Sequence, residues 1–366
     1  MSTPDGGDGG ATPEASTTDG GDAGAITQKV TQTNLFADTS EGGAPNVDPN
    51  LVNPWGLAFS PSGVAWISDN GPGLATLYET ELTTPLPRVV TVPPPGGSSA
   101  GTTSTPSGQI YNAGAGAGDF KGDTFIISTE DGTVSGWSNA SDPFNDAGAA
   151  NATLEYDNSA NNSVYKGLAI IPTTPPTLLL ADFHNNKIDM LDRTYAKIAS
   201  EGGTAWTDPS IPSGFAPFNI YVNGGKVYVA YAKQDSDAHD DEAGPGNGAV
   251  SVFDSTGTLA KSLVASGGAL NSPWGLAIAP AGWGQLGGTL LVGGFGDGHV
   301  NAYDPATGAW VGSLVNGAGA ALAIDGLWAL TWGVSNPDAG ITTSQLYFTA
   351  GPNDETDGLF GYLTTP

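Results

Sequence analysis

Residues 53–60 read Asn-Pro-Trp-Gly-Leu-Ala-Phe-Ser, and residues 271–279 say nearly the same thing again as Asn-Ser-Pro-Trp-Gly-Leu-Ala-Ile-Ala. A shared core of this length, so far apart in a Gly-rich chain, implies one structural unit used several times. Six units can be traced, each opening with a short apolar strand behind a turn. The openings fall at 54–57, 107–110, 165–169, 217–220, 273–276 and 326–330. A strongly apolar second strand follows, then a turn rich in Asp, Asn and Gly. A third strand closes each unit on an aromatic residue or Leu, usually with an acid beside it. A weaker fourth strand is visible in places, as at 88–92 and 259–264. The spacing of roughly 45 to 60 residues is that of a propeller blade.

These units predict an all-β fold, a six-bladed β-propeller over residues 26–366. The 55 Gly and 27 Pro suit many strands joined by tight turns. No window carries a sustained helical period. The β-branched, alternating stretch 26–37 predicts a strand with no unit of its own, and the last unit has no residues left for a fourth strand after Leu363. Pairing the two closes the ring and removes an exposed sheet edge. Trp55, Trp274 and Trp328 are expected to pack between blades. The stretches 93–106 and 139–158 read as surface loops or outer strands.

Lys and Arg total 10 against 37 Asp and Glu, for a net charge of −27. Such a surface repels nucleic acid and anionic lipid, and suits cations. The absence of Cys excludes disulfides, zinc–thiolate sites and cysteine nucleophiles. No apolar run reaches transmembrane length. Residues 1–25 are rich in Gly, Asp, Ser, Thr, Pro and Ala, a composition that predicts a disordered acidic tether. Tethers of this kind follow export signals and lipid-anchor sites. No signal peptide is present, so the expectation is that Met1 stands in for a removed leader. The protein is then expected outside the cytoplasm, as a monomer that meets a small molecule or an extracellular ligand.

Chemistry is expected where the turns between second and third strands gather at one mouth of the central channel. Aligned by unit, these turns offer Asp69, Glu130, Asp182 with His184, Lys233 with Asp235, Asp297, and Asn353 with Asp354. Asp, Asn and Gly form turns readily, but Glu130, His184 and Lys233 are not turn residues. A convergent set of Asp69, Glu130, Asp182 and Asp235 would hold Ca2+ or another divalent cation. Asn53 and Asn219 could add neutral oxygens, and His184 or Lys233 could transfer protons. Alternatively, Lys233 pairs with Glu130 or Asp182 across the channel and leaves no metal. The fourth unit carries a long acidic turn, 233–248, with Asp235, Asp237, Asp240, Asp241 and Glu242 close together around His239. It reads as a solvated loop, a loop ordered by Ca2+, or a lid in which His239, Asp240 and Asp241 face a ligand. No nucleophile elbow, Walker loop or dinucleotide fingerprint is present.

The doubled Asn-x-Pro-Trp-Gly-Leu-Ala pattern, Ala181-Asp-Phe-His184, the 231–248 stretch and Thr349-Ala-Gly-Pro-Asn-Asp354 resemble an uncharacterised family of exported, NHL-type six-bladed propellers. The resemblance runs over about residues 31–363 and implies fold and export. The wider fold neighbourhood includes calcium-dependent lactonases and phosphotriesterases of the gluconolactonase type, whose ligands match no motif here. Two functions follow as expectations. One is a divalent-cation-dependent hydrolase or lactonase. The other is a non-catalytic binding protein for a sugar, peptide or protein partner.

Overall fold

The computed structural model describes residues 25–79, 85–86, 88–138, 150–199, 205–335 and 342–366. Apart from Ala25, the tether expected over 1–25 lies outside them. Six sheets, antiparallel apart from short parallel strands at three outer edges, follow one another around an axis, so the all-β six-bladed propeller is the fold. Their innermost strands are Pro54–Phe59, Pro106–Tyr111, Tyr165–Ile171, Phe215–Asn223, Pro273–Ile278 and Leu327–Trp332. These define blades one to six. Among the described residues no helix is long and apolar enough to cross a membrane.

Ring closure uses the N-terminal stretch, but in two pieces. Thr31–Ala37 is the fourth strand of blade six and runs antiparallel to Leu359–Thr364, from Thr31 opposite Thr364 to Ala37 opposite Leu359. The preceding Ile26–Lys29 lies instead on the outer edge of blade five, parallel to Trp310–Val315. Between them, the Val30 N–H bonds the Val315 carbonyl at 2.9 Å. The stretch before blade three is also regular in part. Thr153–Asp157 is the outer strand of blade two, while Ala150–Asn151 runs parallel to Val89–Thr91 of blade one.

Every inner strand carries a register shift near its start, after the first residue pair in five blades, as between Pro54 and Leu57 or Pro273 and Gly275, and after the third, Pro217, in blade four. This bulge aims the residue just after the last pair before it at the axis. The motif Gly behind it has a packing reason. A Cβ on Gly56 would stand 2.5 Å from the Gln109 nitrogen of blade two, and one on Gly167 would collide with the Asn219 side chain of blade four. Neighbouring inner strands thus approach closely because that position is bare.

Candidate functional site

The six axis-facing residues form one tier: Trp55, Ser107, Lys166, Phe218, Trp274 and Trp328. The tryptophans do more than separate blades. Trp55 stacks on Trp328 with centroids 3.6 Å apart, and Trp274 meets both edge-on at 6.3 and 6.0 Å. Phe295 stacks on the other side of Trp328 at 3.9 Å. These rings form a buried plug. Lys166 is the one charged member of the tier, only 1% exposed, with its ammonium 4.9 Å from the centre of Trp55.

A second tier sits above it. In each blade the residue just past the second strand donates its N–H to the carbonyl just before the inner strand, at 2.8–3.0 Å. The residues so placed are Asn70, Glu130, Phe183, Gln234, Phe295 and Gly351. Glu130 therefore stands over the plug. One of its oxygens is bound by the Lys166 ammonium, and the other accepts from Asn70 Nδ2 at 2.7 Å. Asn53 Nδ2 donates to Asn70 at 3.5 Å and to Glu355 at 2.6 Å, while Asn53 Oδ1 accepts from Trp328 Nε1 at 3.1 Å. Asn53 adopts φ 48° immediately before Pro54, a costly conformation for that position. Asn353, Asp354 and Glu355 are successive left-handed residues, and this turn brings Glu355 to Asn53.

From the opposite side comes the long turn of blade four. It folds into a hairpin through the Gln234–Asp241 bridge and bonds from Asp235 N to the Asp240 carbonyl and from Glu242 N to the Lys233 carbonyl, both 2.8 Å. Its tip lays Asp240 on Lys166 at 3.0 Å, with His239 Nδ1 also 3.0 Å from Asp240. The result is one continuous polar chain: Glu355, Asn53, Asn70, Glu130, Lys166, Asp240, His239. Among the described residues, Glu130, His239 and Asp240 are the group whose ligand atoms all lie within 4.8 Å of one another.

The electrostatics follow from burial and these contacts. Burial pulls the Lys166 ammonium down, but Glu130 and Asp240 more than offset it and hold the pKa above the ordinary lysine range. The His239 bond, with Lys166 behind it, holds Asp240 far below the usual carboxylate range despite burial. The same bond to Asp240 raises His239. Glu355 is pushed up to about 7, chiefly by burial and against the bond from Asn53.

Of the residues singled out from sequence, Asn53, Glu130, His239 and Asp240 meet in this chain. Asp69 and Asp182 do not join them. They pair with Pro54 and Tyr165, whereas Glu130 lies one residue beyond the equivalent Thr129. Successive residues of a strand face opposite ways, so Asp69 and Asp182 turn into their blades. Asp69 accepts from Thr76 Oγ1 at 2.7 Å, and burial raises its pKa. Asp182 takes Ser163 Oγ at 2.8 Å and Lys187 at 3.4 Å. Asp235 accepts from backbone N–H groups of its own turn, Asp237 and His239. Lys233 pairs with Glu242 at 2.6 Å, not with Glu130 or Asp182. His184 is half-buried, and its carbonyl receives Gln234 Nε2 at 3.4 Å. Asp241 is raised by burial, against the pull of the Ser272 hydroxyl beside it. Asn219 bonds the Trp274 carbonyl at 2.7 Å and lines the other end of the channel. The sequence reading passed over Lys166 and Glu355. The signal for Lys166 is a charged residue standing where blades one, five and six have Trp.

No family model matches the sequence. The uncharacterized protein L690 of Acanthamoeba polyphaga mimivirus is 31% identical over 331 residues, covering 87% of this chain and 82% of that protein. Uncharacterized protein R648 of the same virus is 31% identical over 343 residues, covering 90% and 79%. Among solved structures, a Bacteroides thetaiotaomicron protein of unknown function superposes with TM-score 0.55 at 12% identity, over 92% of this chain and 76% of that one. Virginiamycin B lyase from Staphylococcus aureus gives 0.52 at 10% identity, over 92% and 99%. At these identities the likeness is one of fold.

Proposed function

This chain belongs to the family of the uncharacterized mimivirus proteins L690 and R648, and from its own geometry we propose that it is a binding propeller rather than a metal hydrolase. The observation that carries this reading is the ammonium of Lys166 between Glu130 and Asp240. A divalent cation at the tight acid–His group would compete with that ammonium for both carboxylates. The donor set also fits Ca2+ poorly: two carboxylates and an imidazole, against the six to eight oxygens such an ion takes. One ammonium shared by two carboxylates, set over a packed aromatic plug, acts as a lock on the channel. The reading includes an extracytoplasmic location, supported by the acidic, Cys-free composition.

A second reading, the divalent-cation-dependent hydrolase or lactonase, is favoured by the closeness of Glu130, His239 and Asp240 and by the exposure of the latter two. Elemental mass spectrometry of the purified protein, with melting temperature before and after chelator, separates the two. The binding reading expects no stoichiometric divalent ion and no shift on adding chelator or Ca2+. A near-stoichiometric ion, a melting point that falls on chelation and turnover of a lactone or ester that Glu130→Ala abolishes would replace it with the second. Asp182→Ala and Asp69→Asn are the companion variants for the carboxylates expected from sequence.

A further inference from the structure

Three side chains of the polar chain put an amine, a carboxylate and an amide in one row. Glu130 holds the Lys166 ammonium on one oxygen and the Asn70 amide nitrogen on the other, the latter at 2.7 Å. Each comes from a different blade: Asn70 from blade one, Glu130 from blade two and Lys166 from blade three. All three are buried, at 9%, 8% and 1% exposure. The backbone fixes two of them. The Asn70 N–H bonds the Asn53 carbonyl at 3.0 Å, and the Glu130 N–H bonds the Thr105 carbonyl at 2.9 Å. Aromatic rings cover the amine, with the centre of Trp55 at 4.9 Å and that of Phe183 at 5.7 Å. The Asn70 amide is turned so that its nitrogen faces the carboxylate and its oxygen accepts from Asn53 Nδ2 at 3.5 Å.

Reactive groups held together in this way need no encounter, which raises their rate by orders of magnitude. A site closed to water also suppresses competing hydrolysis. We propose that Lys166 and Asn70 become joined by an isopeptide bond, with Glu130 as the proton carrier. Glu130 takes a proton from the ammonium, a transfer that burial favours because it removes two charges at once. The free amine attacks Asn70 Cγ, the Nζ–Cγ bond forms and the Cγ–Nδ2 bond breaks. Of the three ammonium protons, one stays on the new amide nitrogen and two leave on Nδ2, relayed by Glu130, as free ammonium. Nothing is oxidised or reduced, and Glu130 ends as the carboxylate it began as. Asp240 opposes the first step, because its contact at 3.0 Å keeps the amine charged. The product ties blade one to blade three across the channel mouth, a covalent brace in a chain with no Cys for disulfides. This goes beyond the binding reading, which does not depend on it, since the new N–H takes the place of the ammonium on Glu130.

The test is the intact mass of the full chain after incubation of the folded protein at mildly alkaline pH. The bonded chain is lighter than its sequence by one ammonia, and its tryptic digest contains a branched peptide joining Asn70 to Lys166. Asn70→Ala, Lys166→Arg and Glu130→Gln should each keep the full sequence mass. Asp240→Asn, at an exposed position, should reach the bonded mass sooner than wild type. Asn70 precedes Gly71, and cyclisation onto that Gly nitrogen also expels one ammonia. Lys166→Arg tells the two apart, because a loss by cyclisation persists in it. Full sequence mass in both wild type and folded Asp240→Asn, or loss of ammonia without the branched peptide, overturns the proposal. Metal content of the same samples decides the binding reading separately. A stoichiometric divalent ion in bonded protein sinks that reading and spares the bond. Full sequence mass with no metal does the reverse.

Discussion

Replacing Glu355 with Gln should make the protein more stable at pH 8 and leave it unchanged near pH 4.5. Glu355 has an ordinary value of 4.5 and is pushed to about 7 in the fold, first by burial. Between those two pH values the folded chain keeps a proton that the unfolded chain has lost. The stability this gives is complete below about pH 4.5 and disappears as pH rises through about 7. At about 1.4 kcal/mol per pH unit, the difference reaches a ceiling of about 3 kcal/mol, reduced where solvent reaches the carboxylate. Gln keeps an oxygen for Asn53 Nδ2, which now bonds Glu355 at 2.6 Å, and has no proton to lose. His239 is also raised, by its bond to Asp240, so it too contributes stability that fades with rising pH. Asp123, raised to about 6 chiefly by burial, acts in the same direction. Wild type should therefore lose stability from pH 5 to 8, and Glu355→Gln should lose less. The assay is denaturant unfolding of both proteins across that range. Parallel curves, or a variant less stable than wild type at pH 8, would refute the reasoning.

Lys166→Met should cost about 3 kcal/mol, because it strands the buried Glu130 carboxylate with Asn70 as its remaining partner. Added Ca2+ should raise the melting temperature of this variant and leave wild type unmoved, as differential scanning fluorimetry would show. Trp55→Ala should cost about 3–5 kcal/mol by opening the plug between Trp328 and Lys166, measured by urea unfolding. Gly312→Ala should drive the parallel Ile26–Lys29 strip off blade five, since its Cβ would collide with the Ile26 carbonyl. Hydrogen exchange should then quicken at residues 26–29 and hold steady at 31–37.

The repeat was legible because it serves packing. Trp followed by Gly marks a side chain sent to the axis and a bare backbone beside the next blade, and both demands recur in blades one and five. Ring closure by the N-terminal stretch was legible for the same kind of reason, since an unpaired strand and a missing strand imply each other. That the stretch divides at Val30 was not, because alternation reports which face is buried and says nothing of which neighbour provides the edge. The site was legible as a place more than as a set of residues. Asp69, Glu130 and Asp182 line up by turn composition, but one residue of register sends Glu130 to the axis and the other two into their blades. Lys166 went unread because it lies in an inner strand, away from the acidic turns that drew attention.

The seam in blade six also sets an order of events in time. Thr31 lies opposite Thr364, and the Gly358 N–H bonds the Asp38 carboxylate across 320 positions of sequence. Contacts this distant form slowly because a very long loop must close first. A chain made from its N-terminus holds residues 31–37 ready while every blade is assembled, and their partner strand, 359–364, follows all the other strands of the propeller. Until then the array is an open arc with an unpaired strand at its leading edge, the state most exposed to association with another copy. Residues 359–364 thus act as the clasp that ends this vulnerable interval.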